Sequence, residues 1–252
     1  MTYSELLFRR NDDQLIYPDD ARRMVASACD GVEIDPAIFT RDETGKTLSG
    51  VYGSLSDGDG YGVPPRIVFD GGPGYVRMYG IGTAGSSLLR AQAPKLFAAM
   101  YSKGFRSIED KSGEMSLKWL DDGSPTLYAM RYLIVAKKPN QCQRYIKAPL
   151  TGDVRERVGQ VILRGLCGVA RMLDEERMEK GLAPVYLSAV PSSLMLLEGT
   201  PCPMQIQPGI KAAAYKNVLL TLPCKLNGPW VTGLLRARGF GLIRLVNPTR
   251  KN

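Results

Sequence analysis

The 252-residue sequence contains no histidine. That absence excludes Ser-His-Asp and Cys-His catalysis, histidine metal sites, and any proton transfer through imidazole. An enzyme with this composition runs its chemistry on Arg, Lys, Tyr, Ser or carboxylates. Cysteine is sparse and scattered. Cys29, Cys142, Cys167, Cys202 and Cys224 are odd in number and contain no Cys-x-x-Cys pair, which argues against a disulfide framework and a zinc site. No apolar run reaches membrane-spanning length. Charges interrupt the opening MTYSELLFRRNDD at once, unlike a secretory leader. The expectation is a cytoplasmic protein with no membrane partner.

Acidic residues stop at Glu198. Beyond it stand Lys211, Lys216, Lys225, Arg236, Arg238, Arg244, Arg250 and Lys251, eight cations against no anion. The whole chain carries a formal +8, so residues 1–198 balance and the tail holds the entire excess. Two further stretches, 71–108 and 123–152, are also free of acids. With a sequence pI near 9.2, charge segregated in this way favours a polyanionic partner, nucleic acid first.

The apolar content, 44%, suffices for a packed core, and the length suits two domains of roughly 100–120 residues each. Strands are expected at 4–9, 66–69, 75–81 and 115–120, and helices at 17–29 and 86–103. The first helix has Pro18 at its start and Asp19 and Asp20 at the positive end of its dipole. Residues 127–136 (LYAMRYLIVA) predict a strand that opens the second half. Residues 153–180 predict a long helix with a capping-box start, Asp153 to Glu156. Further strands are expected at 185–190 and 210–222. The two halves, 1–122 and 123–252, thus share a β-α-β-β-α-β order, the order of the ferredoxin-like unit. Residues 49–62 are Gly/Ser/Asp-rich without an apolar period and are taken as a loop. The TGKT at 44–47 lacks the upstream glycine of a phosphate-binding loop, because Thr40 stands there.

The stretch 226–246 (LNGPWVTGLLRARGFGLIRLV) organises this reading. It predicts a short apolar helix through Trp230, Val231, Leu234 and Leu235, a basic turn at 236–241, and a final strand. Gly239 and Gly241 permit positive φ and close backbone approach. Bare N–H groups beside the Arg236, Arg238 and Arg244 guanidinium groups suit a phosphate chain.

These residues carry a family resemblance. With Gly228, Gly233, Gly239 and Gly241 in place and Phe240 at a position often aromatic, 226–246 resembles the glycine-rich loop of the RAMP superfamily. There a final helix passes through Gly-x-Gly into the last strand of a ferredoxin-like domain. The chain resembles the CRISPR repeat endoribonucleases of that superfamily, most of all the type IV processing nuclease. The implied fold class is α+β: tandem ferredoxin-like (RRM-like) domains, the first with a helical and basic insertion, the second with the glycine-rich loop.

The implied activity is metal-independent cleavage of precursor CRISPR RNA at repeat hairpins, with no cofactor. It leaves a 2′,3′-cyclic phosphate and a 5′-OH. The product crRNA and other subunits of a CRISPR ribonucleoprotein are the implied partners. Relatives commonly place the nuclease site around the first helix and use histidine. By position, Arg23, Arg22, Tyr17 and Arg41 take that place here. The expected RNA grip is Arg236, Arg238, Gly239, Gly241 and Arg244, joined by Lys211 and Lys216. Arg90, Lys95 and Lys103 on the second helix form a basic arm, with Arg144 and Lys147 further cations. The rival within the same family is a non-catalytic subunit that only binds guide RNA.

Overall fold

In a computed structural model, residues 1–41, 43–44, 64–137, 145, 147–207 and 210–246 are described. The loop expected at 49–62, the TGKT segment beyond Thr44, and Arg144 lie outside them. The chain divides into two compact units: Met1–Met115 with Leu235–Gly239, and Ser116–Leu234 with Phe240–Asn252.

The first unit runs β1 (Thr2–Arg9), α1 (Pro18–Ala28), a 3₁₀ turn (Pro36–Phe39), β2 (Ile67–Gly72), β3 (Tyr75–Ile81), α2 (Gly82–Ser102) and β4 (Ser107–Glu114). Its sheet has the order β2-β3-β1-β4, all antiparallel. Period-2 alternation sends Leu6 and Phe8 of β1, Val76 and Met78 of β3, and Ile67 and Phe69 of β2 into one core. Ala21, Val25 and Ala28 of α1 and Leu89, Leu96 and Met100 of α2 close it from the helix side. The helical spacing of those residues is what fixes the buried stripe.

Helix α2 starts earlier than the sequence suggests. Residues 82–85 are its first turn rather than a free turn before it. The reason is a glycine contact: a Cβ on Gly80 would stand 2.3 Å from the Gly85 carbonyl oxygen. Strand and helix meet there backbone to backbone.

The second unit runs β5 (Ser116–Trp119), β6 (Thr126–Ala136), α3 (Gly152–Met178), a 3₁₀ turn (Leu187–Ala189), β7 (Met195–Pro201), β8 (Met204–Gln207), β9 (Ile210–Leu222), β10 (Cys224–Asn227), β11 (Trp230–Val231), a 3₁₀ turn (Arg236–Arg238) and β12 (Leu242–Leu245). The last 3₁₀ turn lies in the segment that belongs to the first unit. The main sheet has the order β11-β12-β6-β9-β7, with β8 paired to β9. Its four-strand kernel, β12-β6-β9-β7, repeats the β4-β1-β3-β2 order of the first unit, again antiparallel. Both units are therefore ferredoxin-like in sheet order.

Three expected elements are corrected. The helix at 230–235 is absent: Trp230 and Val231 form β11, paired with Ile243 and Leu242 of β12. Gly228, Gly233 and Leu235 all take positive φ, at 85°, 73° and 56°, a conformation no right-handed helix contains. The strand at 185–190 is a 3₁₀ turn. The buried Asp174 carboxylate of α3 accepts the N–H groups of Val185, Tyr186 and Leu187 (2.7–3.1 Å), so they make no ladder. The strand at 115–120 does not close the first half. β4 closes it by pairing with β1, and β5 pairs with β10 in the second unit. β4 escapes the sequence because SIEDKSGE is an edge strand with little apolar content.

Candidate functional site

The start of α1 carries three of the four catalytic candidates, Tyr17, Arg22 and Arg23. Tyr17 precedes the helix in an extended conformation and is 43% exposed. Pro18 follows at the first helical position, and Asp19 and Asp20 lie in the first turn. One turn on, Arg22 and Arg23 point about 100° apart on the helix and meet different partners. Arg23 is exposed and pairs with Asp20 and with Asp19 (3.8 Å). Arg22 turns inward. Its Nη2 donates to the Phe39 carbonyl at 2.9 Å, and its guanidinium lies 6.0 Å from the Phe39 ring centre. Phe39 in turn stacks on Phe69 at 5.9 Å, the rings 8° from parallel. Arg41 stands two residues beyond Phe39, past Thr40 in the left-handed region, and is exposed. Arg22 therefore anchors the turn that presents Arg41.

The 3₁₀ turn Arg236–Arg238 packs on α1 and β2. Arg238 Nη1 lies 3.6 Å from Asp19 Oδ1, so Asp19 stands between Arg23 and Arg238. Gly239 has φ +83°, and a Cβ there would sit 1.8 Å from the Phe69 carbonyl oxygen and 2.8 Å from Pro18 Cβ. Gly241 has φ +76° and would meet the Thr232 carbonyl oxygen at 1.9 Å. The expectation of bare glycine backbone at a surface is thus corrected. Both glycines are buried, because each lets two pieces of backbone touch within the protein. Arg236 is buried as well, and burial pushes its guanidinium down to about 10. Arg238 is 19% exposed. The Gly239 and Gly241 N–H groups donate to the Arg236 and Tyr132 carbonyls, at 2.9 and 2.7 Å.

Beside this corner, a cleft of about 540 Å³ is lined by Arg10, Leu15, Asp20, Arg23, Met24 and Lys103, among others. It brings Arg23 and Lys103 together, a pairing invisible in the sequence. Arg90 and Lys95 are exposed on α2. Lys95 spends its amine on the Glu33 carbonyl (2.7 Å), with the Glu33 carboxylate 4.0 Å away. In the second unit Lys147, Lys211 and Lys216 are exposed, and Arg244 is half-buried on β12. Sequence reasoning missed Phe39 and the bridging place of Asp19. No local signal marks either, since both roles arise from partners far along the chain.

A cluster of guanidinium groups with an exposed phenol and no imidazole suits electrostatic stabilisation of phosphate charge, because arginine keeps its proton at neutral pH. Among the described residues, no group of three or more Cys, Asp or Glu side chains is placed to hold a metal ion. No helix among them is long and apolar enough to cross a membrane.

The family model for the type IV CRISPR-associated endonuclease Csf5 matches residues 1–248. The chain belongs to the Csf5 family. Among solved structures it is similar to one titled "Csf5, CRISPR-Cas type IV Cas6 crRNA endonuclease", with TM-score 0.63 and 18% identity. That likeness covers 98% of this chain and all of the other. A Cas6b crystal structure matches with TM-score 0.64 and 12% identity over the same shares, and a Cas6b CRISPR RNA processing endoribonuclease with TM-score 0.51 and 12% identity, again over the same shares. At these identities the structural likeness establishes the fold, and membership in the Csf5 family rests on the match along the sequence. No curated protein matches.

Proposed function

We propose that this Csf5-family chain is the endoribonuclease that processes precursor CRISPR RNA at repeat hairpins and retains the crRNA within an effector complex. The reaction is cleavage by the adjacent 2′-OH: a new bond forms between that oxygen and phosphorus, the 5′ oxygen departs, and a 2′,3′-cyclic phosphate remains. No metal takes part. The observation that carries the reading is the concentration of guanidinium groups at the start of α1, where Arg23 and Arg238 flank Asp19 and Arg22 lies on the same helix against Phe39, in a chain matched to this endonuclease family over residues 1–248.

Arg23 is the strongest candidate for contact with the scissile phosphate. Its side chain is 69% exposed, and exposed ion pairs are worth about 0–1 kcal/mol. It can therefore exchange its carboxylates for phosphate oxygens at little cost. There it stabilises the charge that develops on the phosphorane and leaving oxygen, while RNA shape and basic contacts hold the in-line geometry. Tyr17, just ahead of α1, and Arg41, on the turn that Arg22 anchors, are the further candidates. Without a general base the enzyme forgoes about 10²–10⁴ in rate, so turnover is slow. Exposed Lys103, Arg90, Lys147, Lys211 and Lys216, with Arg244, supply phosphate contacts. Buried Arg236 and Gly239 shape the corner.

The test is incubation of the purified protein with a cognate repeat RNA in EDTA. The expected result is cleavage with 2′,3′-cyclic phosphate ends. Arg23→Ala is expected to slow single-turnover cleavage by at least about tenfold with binding changed less than threefold. RNA that stays full length under saturating protein favours the non-catalytic guide-RNA subunit instead.

A further inference from the structure

The two-stranded ribbon of β5 and β10 sets two lysines directly across from each other. In its antiparallel register Lys118 pairs with Lys225, and Ser116 with Asn227 one step along the same side. Leu117 opposes Leu226, and Trp119 opposes Cys224, on the reverse side. Burial follows the alternation except at Trp119, at the end of β5, which is exposed. Lys118, Lys225 and Asn227 are exposed, whereas Leu117, Leu226 and Cys224 are buried.

Opposed side chains on an antiparallel pair have Cβ atoms about 4.5–5.5 Å apart, and like charges there repel. Sheets usually relieve such a pair with a carboxylate. Among the described residues none forms an ion pair with either amine. The nearest acids along the chain, Asp121 and Asp122, follow in the turn, where the Asp122 carboxylate accepts the Ser124 N–H at 3.0 Å. Lys225 itself stands in the acid-free tail.

The ribbon is also held firmly. The Tyr128 hydroxyl accepts the Leu226 N–H at 2.7 Å and donates to the Cys224 carbonyl at 3.1 Å. On the other strand, the Trp119 indole N–H donates to the Ala189 carbonyl at 2.9 Å. The strands cannot drift apart, so the two lysines are kept on one face of the ribbon, with Asn227 and Ser116 next along it.

We propose that this face of the ribbon, Lys118 and Lys225 with Asn227 and Ser116, is a seat for the phosphodiester backbone of RNA. The identity of the polyanion rests on the RNA-processing reading above. The seat reads backbone and carries no base code, because ammonium groups on phosphates position a nucleic acid without specifying sequence. It adds a contact surface in the second unit.

Lys225→Glu separates the seat from a structural role. It turns a repulsive cross-strand pair into an attractive one, so thermal stability is expected to hold or rise. The same change is expected to weaken binding of a repeat hairpin RNA about tenfold near 0.1 M salt. The slope of log K against log salt is expected to become shallower by about 1–2. Lys118→Ala should lower the slope by about 1. Unchanged affinity and slope in Lys225→Glu, with a steep slope in the unsubstituted protein, overturns the seat and leaves the nuclease reading standing. A near-zero slope in the unsubstituted protein overturns both. Competition by poly-glutamate as effective as that by RNA of equal charge overturns RNA as the occupant.

Discussion

Gly239 and Gly31 share a left-handed backbone and little else. Their φ angles are +83° and +76°, yet a Cβ on Gly31 would meet nothing within 4 Å, while one on Gly239 would strike the Phe69 carbonyl. Gly31→Ala therefore costs only backbone strain, about 1–2 kcal/mol. Gly239→Ala adds a clash that only movement of the Arg236–Arg238 turn away from β2 can relieve. Thermal melts of the two variants should differ several-fold in their shift, and equal shifts would remove the close contact from the account. The need for glycine at 239 and 241 is legible in the sequence. What each glycine touches is not, because a missing Cβ records a close approach without naming the neighbour. The same holds for Arg22 and Arg23. Adjacent and chemically identical, they are separated by helical geometry into an anchor on Phe39 and an exposed, exchangeable cation.

Elements whose pattern is local follow the sequence closely. Helices α1 and α3 occupy Pro18–Ala28 and Gly152–Met178, near their expected spans, since apolar spacing and first-turn acids lie within each segment; the expected Asp153–Glu156 capping box is not formed, because the helix starts at Gly152 with Thr151 before it and no side-chain cap. Elements whose existence depends on a distant partner do not. β10 and β11 exist because β5 and β12 accept their ladders, and their four- and two-residue lengths carry no period. Tyr128 of β6 is the rivet for β10. Tyr128→Phe removes one hydroxyl and leaves the Leu226 N–H and the Cys224 carbonyl without it, so a loss of about 1–3 kcal/mol is expected. Urea denaturation measures it. A loss under about 0.5 kcal/mol would mean that water takes over both bonds.

At the scale of the whole chain, buried weak acids make stability fall at alkaline pH. Burial pushes the Cys224 thiol from 9.0 up to about 11 and the Tyr215 phenol from 10.0 up to about 12. Burial also raises Cys29, Cys167, Cys202 and Tyr128. A raised folded value means that the unfolded chain ionises first. The contribution is intact below about pH 9 and is lost as pH climbs through 9–11 for the thiol and 10–12 for the phenol. Melting temperatures from pH 8 to 11 should fall, and Cys224→Ala should flatten the early part of that fall. An unchanged profile in Cys224→Ala would place the alkaline loss elsewhere.

The order of residues alone determined the absence of histidine, the excess of positive charge after Glu198, the run of β-α-β-β units and the requirement for glycine near the end. Each is a property of composition or of spacing within a short window. Only the tertiary structure decided that Leu235–Gly239 joins the first unit. Only it decided that Asp19 stands between Arg23 and Arg238, and that two lysines 107 positions apart face each other across one ladder. Which guanidinium meets a carboxylate and which amine meets none depends on contacts between distant segments. Burial and pairing are set when those segments pack, and no local pattern of side chains encodes them.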